Sequence, residues 1–197
     1  MTLYSYKNLC PKLHPSVFVA PTAQIIGDVN IGKQSSVWFQ SVLRGDLDKI
    51  SVGEKTNIQD LCMCHVDENR PLKIGNGVTI GHRSIIHGCT IEDNCLIGMG
   101  AIVMNHAVIG KGSVIAAGAV VLEKIIIPQY SLVTGSPGKI KKTYENREEI
   151  EKAIKTMSES YMQSAQSFGS NKIFFEIKEI WNKHTPQKNS WTNHKKI

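Results

Sequence analysis

The sequence lacks the features of membrane-spanning and secreted proteins. No apolar run approaches the roughly 18 residues that a transmembrane helix needs. Residues 1–7 contain no apolar core of a secretory signal. The five cysteines are an odd number and, without such a signal, do not suggest a disulfide framework. We therefore expect a cytoplasmic protein with no membrane partner, in which most cysteines act as small buried hydrophobic residues.

A basic surface with interleaved aromatic residues, which is typical of nucleic-acid binding, is also missing. The net charge is +6, but residues 139–197 hold 12 Lys/Arg against 7 Asp/Glu, whereas residues 1–138 hold 11 against 10. The positive charge is thus spread along the carboxy-terminal part, with no aromatic platform on which bases could stack. The sequence predicts no nucleic-acid partner.

What the sequence does contain is an internal period of six residues. An aliphatic or small apolar residue recurs at this spacing, often followed by glycine, with a few irregular steps. These positions are Ile25, Ile31, Val37, Leu43, Val52, Ile58, Cys64, Ile74, Ile80, Ile86, Ile91, Ile97, Val103, Ile109, Ile115 and Val121. A period of six fits neither a helix nor a two-sided strand, but it fits a chain that turns a corner every six residues. The pattern predicts an all-β solenoid, a parallel β-helix with three short strands per coil and glycines that relieve the turns.

The repeat ends at residues 135–138, a Gly-Ser-Pro-Gly sequence, which predicts a β-helix domain over residues 1–138. Beyond it, apolar residues recur every three or four positions, as on one face of an amphipathic helix. These residues are Ile150, Ile154, Met157, Tyr161, Ala165 and Phe168, and a second short helix would use Phe174, Ile177 and Trp181. We expect a helical segment over residues 139–183, with a break at 169–171, and a flexible basic tail over 184–197.

Three histidines fall in two columns of the predicted solenoid. His65 and His87 each come one residue after an inward corner, so they should stack about 5 Å apart, in one column with Arg44. His82 lies on a different side of the solenoid, in the column of Asp60. One solenoid cannot bring His82 to the other two histidines, whereas a neighbouring solenoid can. The pattern therefore predicts a zinc site of three imidazoles with an open fourth position, shared between two subunits.

Several segments around these residues resemble the γ-class carbonic anhydrases. They are Ser36-Val37-Trp38-Phe39, Leu43-Arg44-Gly45-Asp46, Thr56-Asn57-Ile58-Gln59-Asp60, Ile80-Gly81-His82 and His87-Gly88-Cys89. The resemblance covers roughly residues 11–140 and the first tail helix. It implies a left-handed form of the β-helix, a homotrimer with three intersubunit metal sites, and reversible hydration of CO₂ to bicarbonate by a metal-bound hydroxide.

The resemblance also implies a role for individual residues. His65 and His87 would bind Zn²⁺ from one subunit and His82 from the next, with Fe²⁺ or Co²⁺ as possible alternatives for the same ligands. Gln59 would hydrogen-bond the hydroxide, with support from Asp60.

Three further residues take roles from the same resemblance. Arg44 and Asp46 would form an intersubunit ion pair beside the metal, and Tyr161 would reach the site from the tail helix.

Two departures from the family concern proton transfer. The best-studied members carry a glutamate where this chain has Leu47, and a longer acidic loop where this chain has only residues 66–71. Glu68 is the remaining candidate for a proton shuttle. We therefore expect low turnover.

Two other functions remain open on the sequence. A CoA-dependent acyltransferase or a thioesterase could use the same solenoid, and residues 135–139 fit the edge of a CoA groove as well as the γ class. A non-catalytic trimeric scaffold with a structural metal is the other alternative. Metal content would separate the acyltransferase, and a rate assay would separate the scaffold.

Overall fold

Short parallel strands stack coil upon coil in the structure, a computed structural model that describes residues 2–170. The result is a parallel β-solenoid followed by one helix, α1 (Arg147–Gly169). The predicted fold class is therefore confirmed. Residues 171–197, which include the expected second helix at Phe174, Ile177 and Trp181 and the expected tail over 184–197, lie outside the described residues.

The strands form three faces. The first face contains β1 (Thr2–Tyr4), the first parts of β4 (Gln24–Ile31) and β6 (Val42–Val52), β8 (Met63–His65), β11 (Ile85–His87), β14 (Ile102–Val103) and β17 (Val120–Val121). The second face contains β2 (Lys12–Leu13), the second parts of β4 and β6, β9 (Leu72–Ile74), β12 (Thr90–Ile91), β15 (Val108–Ile109) and β18 (Ile126–Ile127). The third face contains β3 (Phe18–Val19), β5 (Ser36–Val37), β7 (Asn57–Ile58), β10 (Thr79–Ile80), β13 (Leu96–Ile97), β16 (Val114–Ile115), β19 (Ser131–Thr134) and β20 (Lys139–Thr143).

The residues of the six-residue repeat form the core. On the first face, Leu43, Cys64, Ile86 and Val103 pair in register from coil to coil, and each is fully buried. The strand positions beside them point outward and are partly exposed, as expected for alternating side chains of a strand. Each coil therefore contributes aliphatic side chains to one continuous core, and the coils stabilise one another by burying them.

The repeat glycines have a different function from the one we expected. Gly81 and Gly98, which follow inward isoleucines, do not adopt left-handed backbone angles. A Cβ atom on Gly98 would instead lie 2.4 Å from the backbone nitrogen of Ala117 on the next coil. The left-handed turn positions lie elsewhere in the repeat. They are taken by residues such as Leu61 and Arg83, with φ of 63° and 62°, and by a different set of glycines such as Gly100, with φ of 68°. These glycines thus permit the close approach of coils, and the prediction that they relieve the turns is wrong.

The irregular steps of the repeat all fall at one corner, between the first and second faces. The chain takes nine residues from Leu43 to Val52, ten from Cys64 to Ile74, and five from Ile86 to Ile91. The register of β4 with β6 shifts at this corner, and an isolated bridge joins Asp67 to Arg70 in the second insertion. The two insertions and the shortened step lie directly after Arg44, His65 and His87, so they shape the surroundings of that column.

The end of the solenoid differs in one respect from the predicted helical segment. Residues 139–143 form β20, which runs antiparallel to β19, so the helix begins only at Arg147. The Asn146 side chain caps it by accepting a hydrogen bond from the backbone N–H of Glu149 at 3.1 Å. The helix ends at Gly169, close to the predicted break.

Helix α1 packs across the third face, over β3, β5, β7 and β10. Its buried residues are Ile154, Ser158 and Ala165. At the solenoid surface, the Trp38 ring contacts Tyr161 edge-on, with ring centroids 5.4 Å apart, and contacts Phe168 at 5.3 Å. The helix thereby brings Tyr161 to the side of the solenoid that carries His82. Within residues 2–170, no helix is both long and apolar enough to span a bilayer.

Candidate metal centre

His65 and His87 lie side by side at the ends of β8 and β11. The two residues pair in register, because their coils stack directly on each other. Nδ1 of His65 lies 2.9 Å from Nε2 of His87, and both rings are partly or largely buried. Arg44 pairs in register with His65 on the preceding coil, as the six-residue spacing predicts.

The second nitrogen of His65 is held by a carboxylate. His65 Nε2 lies 3.0 Å from Oδ1 of Asp46, whose other oxygen accepts a hydrogen bond from Arg44 of the same chain. Burial raises the pKa of Asp46, but hydrogen bonds from Arg44 and His65 outweigh this and hold the pKa below its usual value. An ionised carboxylate only accepts hydrogen bonds, so His65 carries its proton on Nε2.

The charge state of His65 follows from its surroundings. Burial lowers its pKa, and the Arg44 guanidinium and His87 lower it further, against the opposing effect of Asp46. A neutral imidazole with its proton on Nε2 has a free lone pair on Nδ1. That lone pair points at His87.

His87 is held by a residue that the sequence analysis did not identify. His87 Nδ1 lies 2.7 Å from Oδ1 of the buried Asn105, and the amide nitrogen of Asn105 donates to Asp67 at 3.1 Å. Arg70 in turn donates to the same oxygen of Asp67 at 3.0 Å. Asn105 is one coil beyond His87, and only the five-residue step at Gly88 hints from the sequence that the two could meet.

These contacts explain why the His65–His87 pair fits a cation. The outer nitrogen of each ring faces an acceptor, Asp46 for His65 and Asn105 for His87. The two inner nitrogens lie 2.9 Å apart, and in neutral rings that carry their protons on the outer nitrogens both would present a lone pair. A divalent metal ion is the natural partner for such convergent imidazole nitrogens.

His82 lies on the third face, and an acceptor holds one of its ring nitrogens as well. Its Nδ1 lies 2.8 Å from Asp60, and its Nε2 lies 3.3 Å from the Tyr161 hydroxyl of α1. The side chain is 38% exposed, so it is accessible to another molecule. Burial and the Asp60 carboxylate raise the pKa of Tyr161, which therefore keeps its proton at neutral pH.

Gln59 and a small apolar cavity lie beside His82 on the third face. The backbone N–H of His82 donates to the Gln59 side-chain oxygen at 3.2 Å, and the Gln59 amide nitrogen donates to Asn57 at 3.1 Å. Gln59, His82 and Tyr161 line a cavity of about 270 Å³ together with the apolar side chains of Leu96, Ile97, Met99 and Met157. The cavity suits a small, uncharged ligand.

The histidines do not form one group within a chain. His65 and His87 lie at the first face, while His82 follows β10 on the third face. Among the described residues 2–170, no group of three or more His, Cys, Asp or Glu side chains could hold a metal ion. This separation matches the expectation that one solenoid cannot complete the site, and the assignment of the three ligands stays a prediction.

Two residues of the sequence analysis lie apart from these contacts. Glu68 is exposed at the turn between β8 and β9, beside the Asp67–Arg70 pair. Leu47 is 47% exposed in the insertion that follows Asp46. Arg44 and Asp46 contact each other within one chain, whereas the resemblance implied an ion pair between subunits.

Comparison with known proteins places this chain in a superfamily and then in a family. Residues 71–101 and 88–123 match the family model "Bacterial transferase hexapeptide (six repeats)". A solved structure described as a hexapeptide transferase family protein from Anaplasma phagocytophilum superimposes with a TM-score of 0.80 at 40% identity, covering 85% of this chain and 98% of the other. The chain is a hexapeptide-repeat protein.

Two curated relatives define the family more closely. A "Probable carbonic anhydrase" from Methanocaldococcus jannaschii is 46% identical over 157 residues, which are 80% of this chain and 98% of the relative. "Gamma carbonic anhydrase 2, mitochondrial" from Arabidopsis thaliana is 40% identical over 91% of this chain, which spans 66% of the length of that protein. This chain belongs to the γ-class carbonic anhydrase family.

Proposed function

We propose that this protein is a metal-dependent carbonic anhydrase-like enzyme, a lyase that hydrates CO₂ reversibly to bicarbonate. The observation that carries the proposal is the His65–His87 pair, whose inner nitrogens converge to 2.9 Å while their other nitrogens are held by acceptors. The names of the family members support the same reaction.

The metal would be held by residues of two copies of the chain. His65 and His87 of one copy would supply Nδ1 and Nε2. His82 of a neighbouring copy would supply Nε2, the nitrogen that Asp60 does not contact, and would give up its contact with the Tyr161 hydroxyl. When bound, Zn²⁺ lowers the pKa of a water ligand to about 7 and supplies hydroxide at neutral pH. Fe²⁺ and Co²⁺ suit the same imidazole set, so the metal is to be determined by analysis.

A site shared between neighbours favours a closed ring of identical subunits. Each copy has one His65–His87 pair and one His82 at different faces, so each gives and receives ligands in a head-to-tail arrangement. We propose a homotrimer with three equivalent sites. Arg44 and Asp46 lie beside the pair and would face the neighbouring subunit there.

The surrounding side chains would orient the reactants. The cavity at His82 has apolar walls for CO₂, and Gln59, whose amide oxygen accepts from the His82 backbone, is one of its lining residues. Asp60 holds His82 in one tautomer, and the Tyr161 hydroxyl lies 3.3 Å from His82 Nε2, beside the proposed metal position. Hydration of CO₂ releases one proton for each bicarbonate, which would leave through Tyr161, through the exposed Glu68 or directly to buffer.

The alternatives make different demands on these residues. A CoA-dependent acyltransferase needs a single histidine base, and it gives no reason for three histidines that each have one nitrogen held by an acceptor. A thioesterase could use the same metal site. A scaffold would bind the metal without turnover. A cytoplasmic location and the absence of nucleic-acid and membrane partners stay predictions.

Metal analysis combined with CO₂ hydration tests the proposal. We expect about one metal ion per chain, together with hydration activity that is lost on chelation and regained when zinc is added. The rate should rise with imidazole buffer, because an added base replaces the missing proton shuttle. His65→Ala should abolish both metal and activity, and His14→Ala, at an exposed histidine outside the site, should change neither. Metal-free wild-type protein with undiminished activity would refute the proposal, as would full metal content without CO₂ hydration.

A further inference from the structure

The contacts beyond His87 form a chain of hydrogen bonds that ends at the protein surface. Arg70 donates to Asp67, Asp67 accepts from the amide nitrogen of Asn105, and Asn105 accepts from His87 Nδ1. His65 and His82 each contact a carboxylate directly, whereas His87 reaches one only through Asn105. Asn105 is buried, and both its side-chain oxygen and its side-chain nitrogen take part in this series of hydrogen bonds.

The orientation of the Asn105 amide follows from its neighbours. The Asp67 carboxylate accepts hydrogen bonds and cannot donate when ionised, and it is held in place by Arg70. The amide NH₂ of Asn105 must therefore face Asp67, and its carbonyl oxygen must face His87. That oxygen accepts only, so His87 must carry its proton on Nδ1.

The backbone is built to allow this contact. Gly88 follows His87 at the five-residue step and has a φ of +48°. A Cβ atom there would lie 2.4 Å from the Asn105 oxygen and 3.1 Å from the backbone oxygen of Arg70. The absence of a side chain at Gly88 thus leaves room for Asn105 to reach His87.

In the other tautomer of His87, the inner nitrogens of the two rings would hydrogen-bond to each other without any metal. With its proton on Nε2, His87 could donate directly to the Nδ1 lone pair of His65, which lies 2.9 Å away. That hydrogen bond would occupy both inner nitrogens and compete with metal binding.

We infer that Asn105, oriented by Asp67 and Arg70, is a positioning residue that keeps His87 in the Nδ1–H tautomer and so keeps the His65–His87 pair open for a cation. The inference rests on the proposed function in so far as that cation is the catalytic metal. Asn105 itself contacts neither substrate nor metal in this scheme. It acts only through the imidazole of His87.

The test measures the tautomer of His87 in metal-free protein by long-range ¹H–¹⁵N NMR. Wild-type protein should show the Nδ1–H form. Asn105→Leu, which removes the acceptor at similar size, should shift His87 toward the Nε2–H form and weaken Zn²⁺ binding roughly 10–100-fold in a chelator competition. Asn76→Leu is the matched control, because Asn76 also donates to a carboxylate, Asp93, but lies away from the histidines.

A double variant that exchanges the carboxylate and the amide distinguishes lost positioning of His87 from lost folding. In the double variant Asn105→Asp with Asp67→Asn, the carboxylate at position 105 can accept from His87 and from the amide at position 67. We expect this variant to recover the Nδ1–H tautomer and most of the zinc affinity. A His87 that stays in the Nδ1–H form in Asn105→Leu, or a double variant that recovers neither property, would overturn the inference.

The two proposals fail in different ways. Wild-type protein that does not bind Zn²⁺ would contradict the proposed function. The tautomer measured on metal-free protein would still decide the role of Asn105.

Discussion

The acceptors around the histidines act at the scale of single residues. Asp46 and Asp60 offer carboxylate oxygens and Asn105 an amide oxygen, and each of the three residues holds one ring nitrogen of its histidine. A fixed ring orientation lowers the entropy that is lost when a ligand binds. The chemistry of the site therefore depends on residues that would not themselves touch a metal.

The cysteines show the opposite behaviour, because burial makes them inert. Burial raises the pKa of Cys62, Cys89 and Cys95 to about 12, and raises that of Cys64 as well. The thiolate is the reactive form, so these four should resist alkylation at pH 8. Cys10 is exposed.

We predict that iodoacetamide at pH 8 adds one group per native chain, at Cys10, and five groups per chain in denaturant. Intact-mass spectrometry measures both numbers. Cys10→Ser should remove the single native adduct. Rapid modification of two or more thiols in the native protein would contradict the closed core.

Helix α1 is anchored at the scale of the element by its first turns. Glu151 accepts hydrogen bonds from the Tyr130 hydroxyl at 2.5 Å and from Lys111 at 2.9 Å, both on the solenoid. The Tyr130 hydrogen bond, followed by that of Lys111, lowers the pKa of Glu151 below its usual value of 4.5. The carboxylate form of Glu151 thus docks the helix, which carries Tyr161 toward His82.

The direction of this pKa shift sets a pH dependence. Because the pKa is lower in the folded than in the unfolded protein, the contact stabilises docking above about pH 4.5 and is lost as the pH falls through the folded-state pKa. Glu151→Gln should cost about 1 kcal/mol at neutral pH, since the group is partly exposed, and should reduce the acid dependence of unfolding. Denaturant titrations at several pH values, with hydrogen exchange on α1, measure this.

The control for this experiment lies in the same helix. Glu159 is exposed and pairs only loosely, at 3.8 Å, with Lys155 of α1. Glu159→Gln should therefore keep the wild-type acid dependence. If the free energy of unfolding changed equally with pH in Glu151→Gln and in wild type, Glu151 would not couple helix docking to pH.

At the scale of the whole molecule, a shared site allows two defective chains to complement each other. A chain with His65→Ala keeps His82, and a chain with His82→Ala keeps the partner residues His65 and His87. If these chains are mixed under subunit exchange, random assembly restores about a quarter of the sites in a cyclic trimer. Each variant alone should bind no metal at these sites.

Metal content and CO₂ hydration before and after mixing measure the recovery. The control mixes His65→Ala with His87→Ala, whose altered residues belong to the same side of the interface, so no intact site can form. Recovery in this control, or full metal retention by either His65→Ala or His82→Ala alone, would rule out a site made from two chains.

The six-residue period was enough to predict the solenoid, because each coil repeats one local pattern and contacts only its neighbours. The stacking of His65 on His87, and the separation of His82 from both, also follow from the repeat. With a period of six, the position of a residue in the sequence gives the face and the coil on which it lies. Residues 139–143 were less predictable, because strand β20 depends on the free edge of β19 rather than on its own fully exposed sequence.

The tertiary structure alone decided what surrounds the histidines. The steps of nine, ten and five residues at one corner interrupt the six-residue count. The spacing therefore does not locate Asp67 near His87, and for Asn105 it gives only the hint of the five-residue step at Gly88. The role of Gly98 was hidden for a related reason, because its close contact is with Ala117 on another coil. A repeating sequence determines which coil and face a side chain occupies, but only packing across coils determines what it touches.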